Sequence, residues 1–209
     1  MNKRFNEKRS TTDPSDRIAV LLSVIFFVSG IFVGTFSAGS IDETGSVALY
    51  GDINEYIEVI RNGSYVRADF LSAILSAYKY HLLVVFLGLS VPGFIIIPFL
   101  SGVRSFYLSF SIAAFIKVFG SGGALVAFGL FGLGALITIP CLFMLSAQSF
   151  MASYELWRLV VGKSRGTVTR IYGKRYFFRC GAVMAVLFFS VLLEMYVTPW
   201  FVSVVSVFL

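Results

Sequence analysis

The 209 residues are 57% apolar and only 13% charged, with a mean hydropathy of +0.86. Soluble domains run nearer about 45–50% apolar and about 25% charged, so this balance excludes an ordinary soluble domain, and the scarcity of charge excludes disorder. With 23 Phe and 10 Tyr, suited to lipid-facing and interfacial positions, the composition predicts one integral membrane domain.

The net charge of +6 is unevenly distributed. Residues 1–17 carry Lys3, Arg4, Lys8, Arg9 and Arg17 against Glu7, Asp13 and Asp16. Residues 40–80 are acidic, through Asp42, Glu43, Asp52, Glu55, Glu58 and Asp69. Residues 150–179 carry seven Lys or Arg against Glu155 alone. A basic run can bind nucleic acid, but a cytoplasmic loop accounts for the same charges, and that reading is preferred. Cys141 and Cys180 stand far apart in apolar runs, with no CxxC spacing, and read as buried apolar residues.

About 20 apolar residues cross the hydrocarbon core. Ile18–Ile41 is charge-free, too long for a signal-peptide core, and reads as an uncleaved first span despite the weak cleavage lookalike at Ser37-Ala38-Gly39. In the acidic segment 40–81, Leu49, Ile53, Tyr56, Ile57 and Ile60 recur at helical spacing. Asp52, Glu55 and Glu58 lie off that face, and Asn62-Gly63 is a stop signal. Phe70, Leu71, Ile74, Leu75 and Tyr78 form a second stripe. Two short amphipathic helices are expected here, serving either as a partner-docking cap bearing Asp52, Glu55 and Glu58 or as a simple lid. Asn62-Gly63-Ser64 matches a glycosylation sequon, a pattern that arises easily by chance.

Leu82–Val103 reads as the second span, with His81 at its outer edge and Arg104 in a short cytoplasmic turn. The 12 residues Ser105–Ile116, between Arg104 and Lys117, form a short third span or a re-entrant segment. Gly120-Ser121-Gly122-Gly123 is a turn, and the fourth span covers about 124–149. The fifth begins after Arg179 and runs to about Thr198, where Pro199 interrupts it. The expected fold is an all-α, polytopic membrane bundle of about five helices. Its basic N-terminus (1–17) and the loop 150–179 face the cytoplasm, and its C-terminus faces outward. At an offset of 42 residues Phe86, Ile95, Ile97, Pro98 and Leu100 match Phe128, Ile137, Ile139, Pro140 and Leu142. Chance likeness between apolar helices explains this better than a duplication.

The residues offer no reacting constellation. One histidine cannot make a two-histidine metal site, and no phosphate loop or nucleophile elbow is present. No enzyme activity, cofactor or metal is expected. Glu194, deep in the last apolar stretch, must be paired, protonated or near an interface. It reads either as ordering the helix end near Pro199 or as an ion, substrate or subunit site. Pro98, Pro140 and Arg104 are further candidates. Gly129, Gly132 and Gly134 are read as internal packing positions.

The ending Glu194-Met195-Tyr196-Val197-Thr198-Pro199 resembles that of the stage II sporulation protein M family. Leu87-Gly88-Leu89-Ser90-Val91 and Leu136-Ile137-Thr138-Ile139-Pro140 resemble two other stretches of it, in the same order, over about residues 15–209. Family members often carry polar residues in span four, where Leu130-Phe131-Gly132-Leu133-Gly134 stands here. The resemblance implies a non-enzymatic scaffold that works with peptidoglycan-degrading partners on its outer face during engulfment. The residues also leave open a transporter or permease subunit with a site near Glu194, since proline-broken spans are common there.

Overall fold

A computed structural model describes residues 14–42, 70–162 and 168–205, together with Thr44, Gly45, Val47, Tyr50, Gly51, Asn54, Glu55 and Glu58. Helix α1 is Pro14–Gly39, α2 Phe70–Gly88 and α3 Gly93–Ala127. A π-helical turn, Phe128–Gly132, leads into α4, Leu133–Val160. The short α5 is Val168–Ile171, and α6 is Lys174–Val205. No strand occurs among the described residues. In hydrocarbon a helix satisfies its own backbone, which is why so apolar a chain takes this form.

Three helical runs are long and apolar enough to cross a bilayer: Val20–Gly39, Gly93–Val160 and Tyr176–Val197. The 68-residue middle run reverses on itself. Gly120 has φ 58° and ψ −136°, a left-handed backbone open to glycine. Past it, the rings of Phe115 and Phe131 lie 5.7 Å apart, whereas sixteen residues of straight helix would separate them by about 24 Å. The predicted turn at 120–123 is thus made by one residue, and helix resumes at once.

Side-chain contacts fix the helix directions. Ser101 reaches Ser23, Ser105 reaches Phe27, and Ser109 reaches Gly30, so α1 and α3 run parallel. Phe27 meets Phe143, and Leu22 packs at Phe150 and Met151, so α4 runs opposite to α1. Gln148 bonds to Tyr176 and Ser190 to Gly134, so α6 is antiparallel to α4. The main core joins Val84, Ile97, Leu142, Leu145, Leu187 and both free, buried cysteines. Their reading as buried apolar residues holds.

Several expected boundaries move. Leu82–Val103 is not one span: the chain leaves helix at Leu89–Pro92, where Ser90 Oγ and Ser90 N both bond to Leu87 O, and α3 begins at Gly93. The stripe from Phe70 to Tyr78 is no separate amphipathic helix, because α2 runs unbroken through it. Arg104 lies inside α3 and not in a turn. Residues 150–160 extend α4, and α6 already starts at Lys174, so much of the 150–179 segment is helix. The backbone of α6 stays helical through position 199 to Val205, so Pro199 does not end it. Proline removes one hydrogen bond, which a long packed membrane helix tolerates. The offset-42 likeness pairs residues of two helices, α2 and α3, with the one continuous helical stretch 128–142, which runs opposite to α3, so no parallel duplication underlies it.

Candidate functional site

Two arrangements dominate the bundle. The first is the seam between α1 and α3. A Cβ on Gly30 would strike Ser105 Oγ and Gly102 O, and one on Gly34 would strike Ser109 Oγ and Phe106 O. Gly30 and Gly34 form a GxxxG step, and Ser101, Ser105 and Ser109 repeat every four residues on the facing helix. Small residues on one side let the backbones approach, and small hydroxyls on the other bridge them. Ser101 Oγ donates to Ser23 O at 3.1 Å and Ser105 Oγ to Phe27 O at 2.7 Å. Each hydroxyl also faces a carbonyl of its own helix, so the donors sit between two acceptors. At the end of the seam, Lys117 Nζ donates to Gly39 O at 2.9 Å and Ile41 O at 2.6 Å, and lies 3.4 Å from Ala38 O. An ammonium on the carbonyl end of α1 complements the helix dipole there. It accounts for a lysine at the end opposite the basic segments.

The second arrangement gathers polar side chains among α2, α3, α4 and α6. His81, expected at the outer edge, is only 2% exposed. Its Nδ1 lies 3.0 Å from Ala77 O and its Nε2 3.2 Å from Thr138 O. A neutral imidazole donates to only one of two such carbonyls. The Thr138 hydroxyl is buried without a hydrogen-bond partner. Glu194 projects onto Gly134, where a Cβ would collide with its carboxylate, so the glycine makes room for the acid. Arg104 lies within electrostatic reach of both Glu194 and His81, and its guanidinium sits 5.2 Å from the centre of the Tyr80 ring. The structure therefore places Glu194, Arg104 and His81 in one electrostatic neighbourhood, with His81 buried and not at the outer edge. Glu194 turns toward α4, not toward the backbone near Pro199. Pro98 is buried in α3, with Ser101 Oγ donating to its carbonyl at 2.6 Å, and Pro140 is exposed on α4. No group of three or more His, Cys, Asp or Glu able to hold a metal occurs among the described residues.

The remaining candidates lie in the segment after α1. Glu55 and Glu58 are helical and exposed, as a solvated acidic face requires. Asp52 lies outside the described residues, as do the apolar positions 49, 53, 56, 57 and 60 and the sequon. Asp42 starts this helix: its carboxylate accepts the Gly45 N–H at 2.9 Å and the Thr44 hydroxyl at 3.1 Å. These bonds, the backbone one first, hold its carboxyl below the usual carboxylate range. Tyr50 packs on Phe119 at 5.3 Å, so the segment touches the end of the bundle where α3 turns.

At the opposite end, Ser153 Oγ donates to Ser90 O at 2.6 Å, and Tyr172 OH to Gly88 O at 2.8 Å. Burial, with Glu155 nearby, pushes the Tyr172 phenol above its usual range. Phe94, Tyr154 and Trp157 cluster there, with Arg158 beside Tyr154. Aromatics and cations at one bundle end are what a membrane interface selects.

These features define a class: a membrane protein, helical throughout its described elements, in which several buried hydroxyls bridge neighbouring segments. The family model described as Stage II sporulation protein M matches residues 23–199. The chain belongs to that family, a group of sporulation-related membrane proteins that is not a known enzyme family. No curated protein and no solved structure matches it.

Proposed function

We propose that the protein is a non-enzymatic, multi-pass scaffold of the bacterial cytoplasmic membrane. It recruits peptidoglycan-degrading partners on its outer face for engulfment during sporulation. The observation that carries this reading is the family match across 177 of the 209 residues. The use of the interior hydroxyls supports it: Ser101, Ser105 and Ser153 are spent on backbone carbonyls of neighbouring helices. In this reading the chain crosses five times, through α1, α2, the two arms of the hairpin at Gly120, and α6. The alternating helix directions support that count. The basic segments 1–17 and 150–179 then lie inside with the N-terminus, and the C-terminus and the acidic helix with Glu55 and Glu58 lie outside.

Pull-down from detergent-solubilised sporulating cells tests the role. Wall hydrolases are expected with the intact protein and reduced when residues 44–69, which precede α2, are deleted or when Glu55 and Glu58 are made Ala. Recovery of none with the intact protein overturns the scaffold. One observation favours a second reading, transport: the Thr138 hydroxyl is buried without a partner, on the residue whose backbone carbonyl meets His81 Nε2. Purified protein in liposomes would then show solute flux that Glu194→Gln reduces. No flux and no ligand-induced stabilisation across a broad solute screen would reject it.

A further inference from the structure

Lys79 is exposed at the middle of α2, nine residues and about 14 Å of helix from its end at Gly88. Its Nζ lies 5.1 Å from the centre of the Tyr80 ring, the ring that Arg104 of α3 approaches at 5.2 Å. Two cations from two helices therefore converge on one aromatic ring. Their depth follows from their neighbours. Ser105, next to Arg104, bonds to Phe27, close to the centre of the charge-free stretch Ile18–Ile41. Tyr78, next to Lys79, bonds to Met184 O on α6 at 2.6 Å, level with the core of the bundle.

A cation in this position calls for a counter-charge. Among the described residues the surrounding helices α2, α3, α4 and α6 hold two carboxylates: Glu155, near the end of α4 beside Tyr172, and Glu194. Glu194, the nearer to mid-span, lies within electrostatic reach of Arg104, so one carboxylate answers two cations. His81 adds no anion. A second copy of the chain has none to spare: of its 11 Asp and Glu, Glu194 alone falls well inside an apolar stretch, Glu155 standing five residues from the end of α4. A lipid phosphate lies at the headgroup level, roughly 15 Å from the middle of the hydrocarbon, beyond the reach of a lysine side chain at that depth.

We propose that the face of α2 and α3 bearing Lys79, Tyr80 and Arg104 docks a transmembrane helix of another protein through an acidic side chain near the middle of the bilayer. The proposal extends the recruiting role above and rests on it for the existence of a partner. It assigns a contact inside the membrane, separate from the external acidic helix. Lys79 supplies the exposed charge, Arg104 adds to the field from behind, and Tyr80 offers both a cation-holding face and a flat surface for packing.

The test uses the labelled full-length protein in phosphatidylcholine vesicles and a synthetic poly-leucine helix of about 20 residues. The helix carries one central Glu, one Glu near an end, or none. Resonance energy transfer should show the central-Glu helix associating on the order of tenfold more tightly than the other two. Lys79→Met should abolish that preference and Lys79→Arg retain it; the exposed position lets both variants fold. Equal association of all three helices, or a preference that survives Lys79→Met, overturns the proposal. So does Lys79-dependent energy transfer between copies of the protein alone, which assigns the face to self-association. Displacement of the central-Glu helix by phosphatidylglycerol assigns it to lipid and overturns it too. The probe is no wall hydrolase, so its failure and the failure of the hydrolase pull-down are read separately.

Discussion

The α1–α3 seam and the α2 side of the bundle hold helices together by opposite means. At the seam, Gly30 and Gly34 bring two backbones into contact, and short hydroxyls close the remaining gap. On the α2 side, long side chains reach across: Tyr78 to Met184 O, His81 to Thr138 O, and Tyr172 to Gly88 O. Lipid offers no hydrophobic gain for bringing helices together, so contact must come from packing or from polar bonds. The seam relies mainly on packing and the other side mainly on polar reach. A packed seam tolerates no added volume. The side held by reach carries the inward-facing polar groups His81 and Glu194.

Substitutions can break this contrast, beginning at the seam. Gly30→Leu should cost more than about 3 kcal/mol, because neither Gly102 O nor Ser105 can yield. Unfolding in mixed micelles should show loss of the cooperative transition. If Gly30→Leu leaves stability unchanged, the seam is not tightly packed. On the polar side, Gly134→Ala should cost about 1–3 kcal/mol by pressing on Glu194. Adding Glu194→Ala should recover most of that loss, a non-additivity that a double-mutant cycle measures.

Smaller effects sharpen the comparison. Lys117→Met removes the cation from the end of α1 and should cost about 0.3–1 kcal/mol, read as faster amide exchange at residues 36–41. Ser105→Ala should cost only about 0.6 kcal/mol, since the seam keeps its packing without that bond. The smallest effect is on pH dependence at Asp42. Its carboxyl is depressed in the fold, so its capping of the Gly45 amide is present above the ordinary value of about 3.9. The capping is lost as pH falls through the depressed value. Protection of the Gly45 amide should fall in that window, and Asp42→Ala should remove the step.

The chemistry of the spans was largely legible in sequence. Ile18–Ile41 reads as one crossing because nothing in it is polar enough to stop, and Gly120 announces a turn because glycine adopts its backbone. Glu194 stands out by its surroundings. The boundaries between 70 and 119 were not legible, for one physical reason. In sequence His81 and Arg104 read as markers of the membrane surface, but a polar group inside a bundle is tolerated wherever a neighbouring helix satisfies it. Hydropathy also passes over Leu89–Pro92, a mostly apolar turn whose backbone is tied by Ser90 and Ser153. The seam had a signal, Gly30 and Gly34 four apart facing serines four apart, but recognising it requires knowing that the two helices run parallel.

The π-helical turn Phe128–Gly132 carries a consequence of its own. Such a turn holds one residue more than the α-helix around it. Everything after it is turned by about 100° relative to an uninterrupted helix. Gly134 and Thr138 face Glu194 and His81 only with that extra residue in place. The turn is therefore a phase setting: deleting a single residue there would leave a more regular helix and point the whole lower arm of the hairpin at the wrong neighbours.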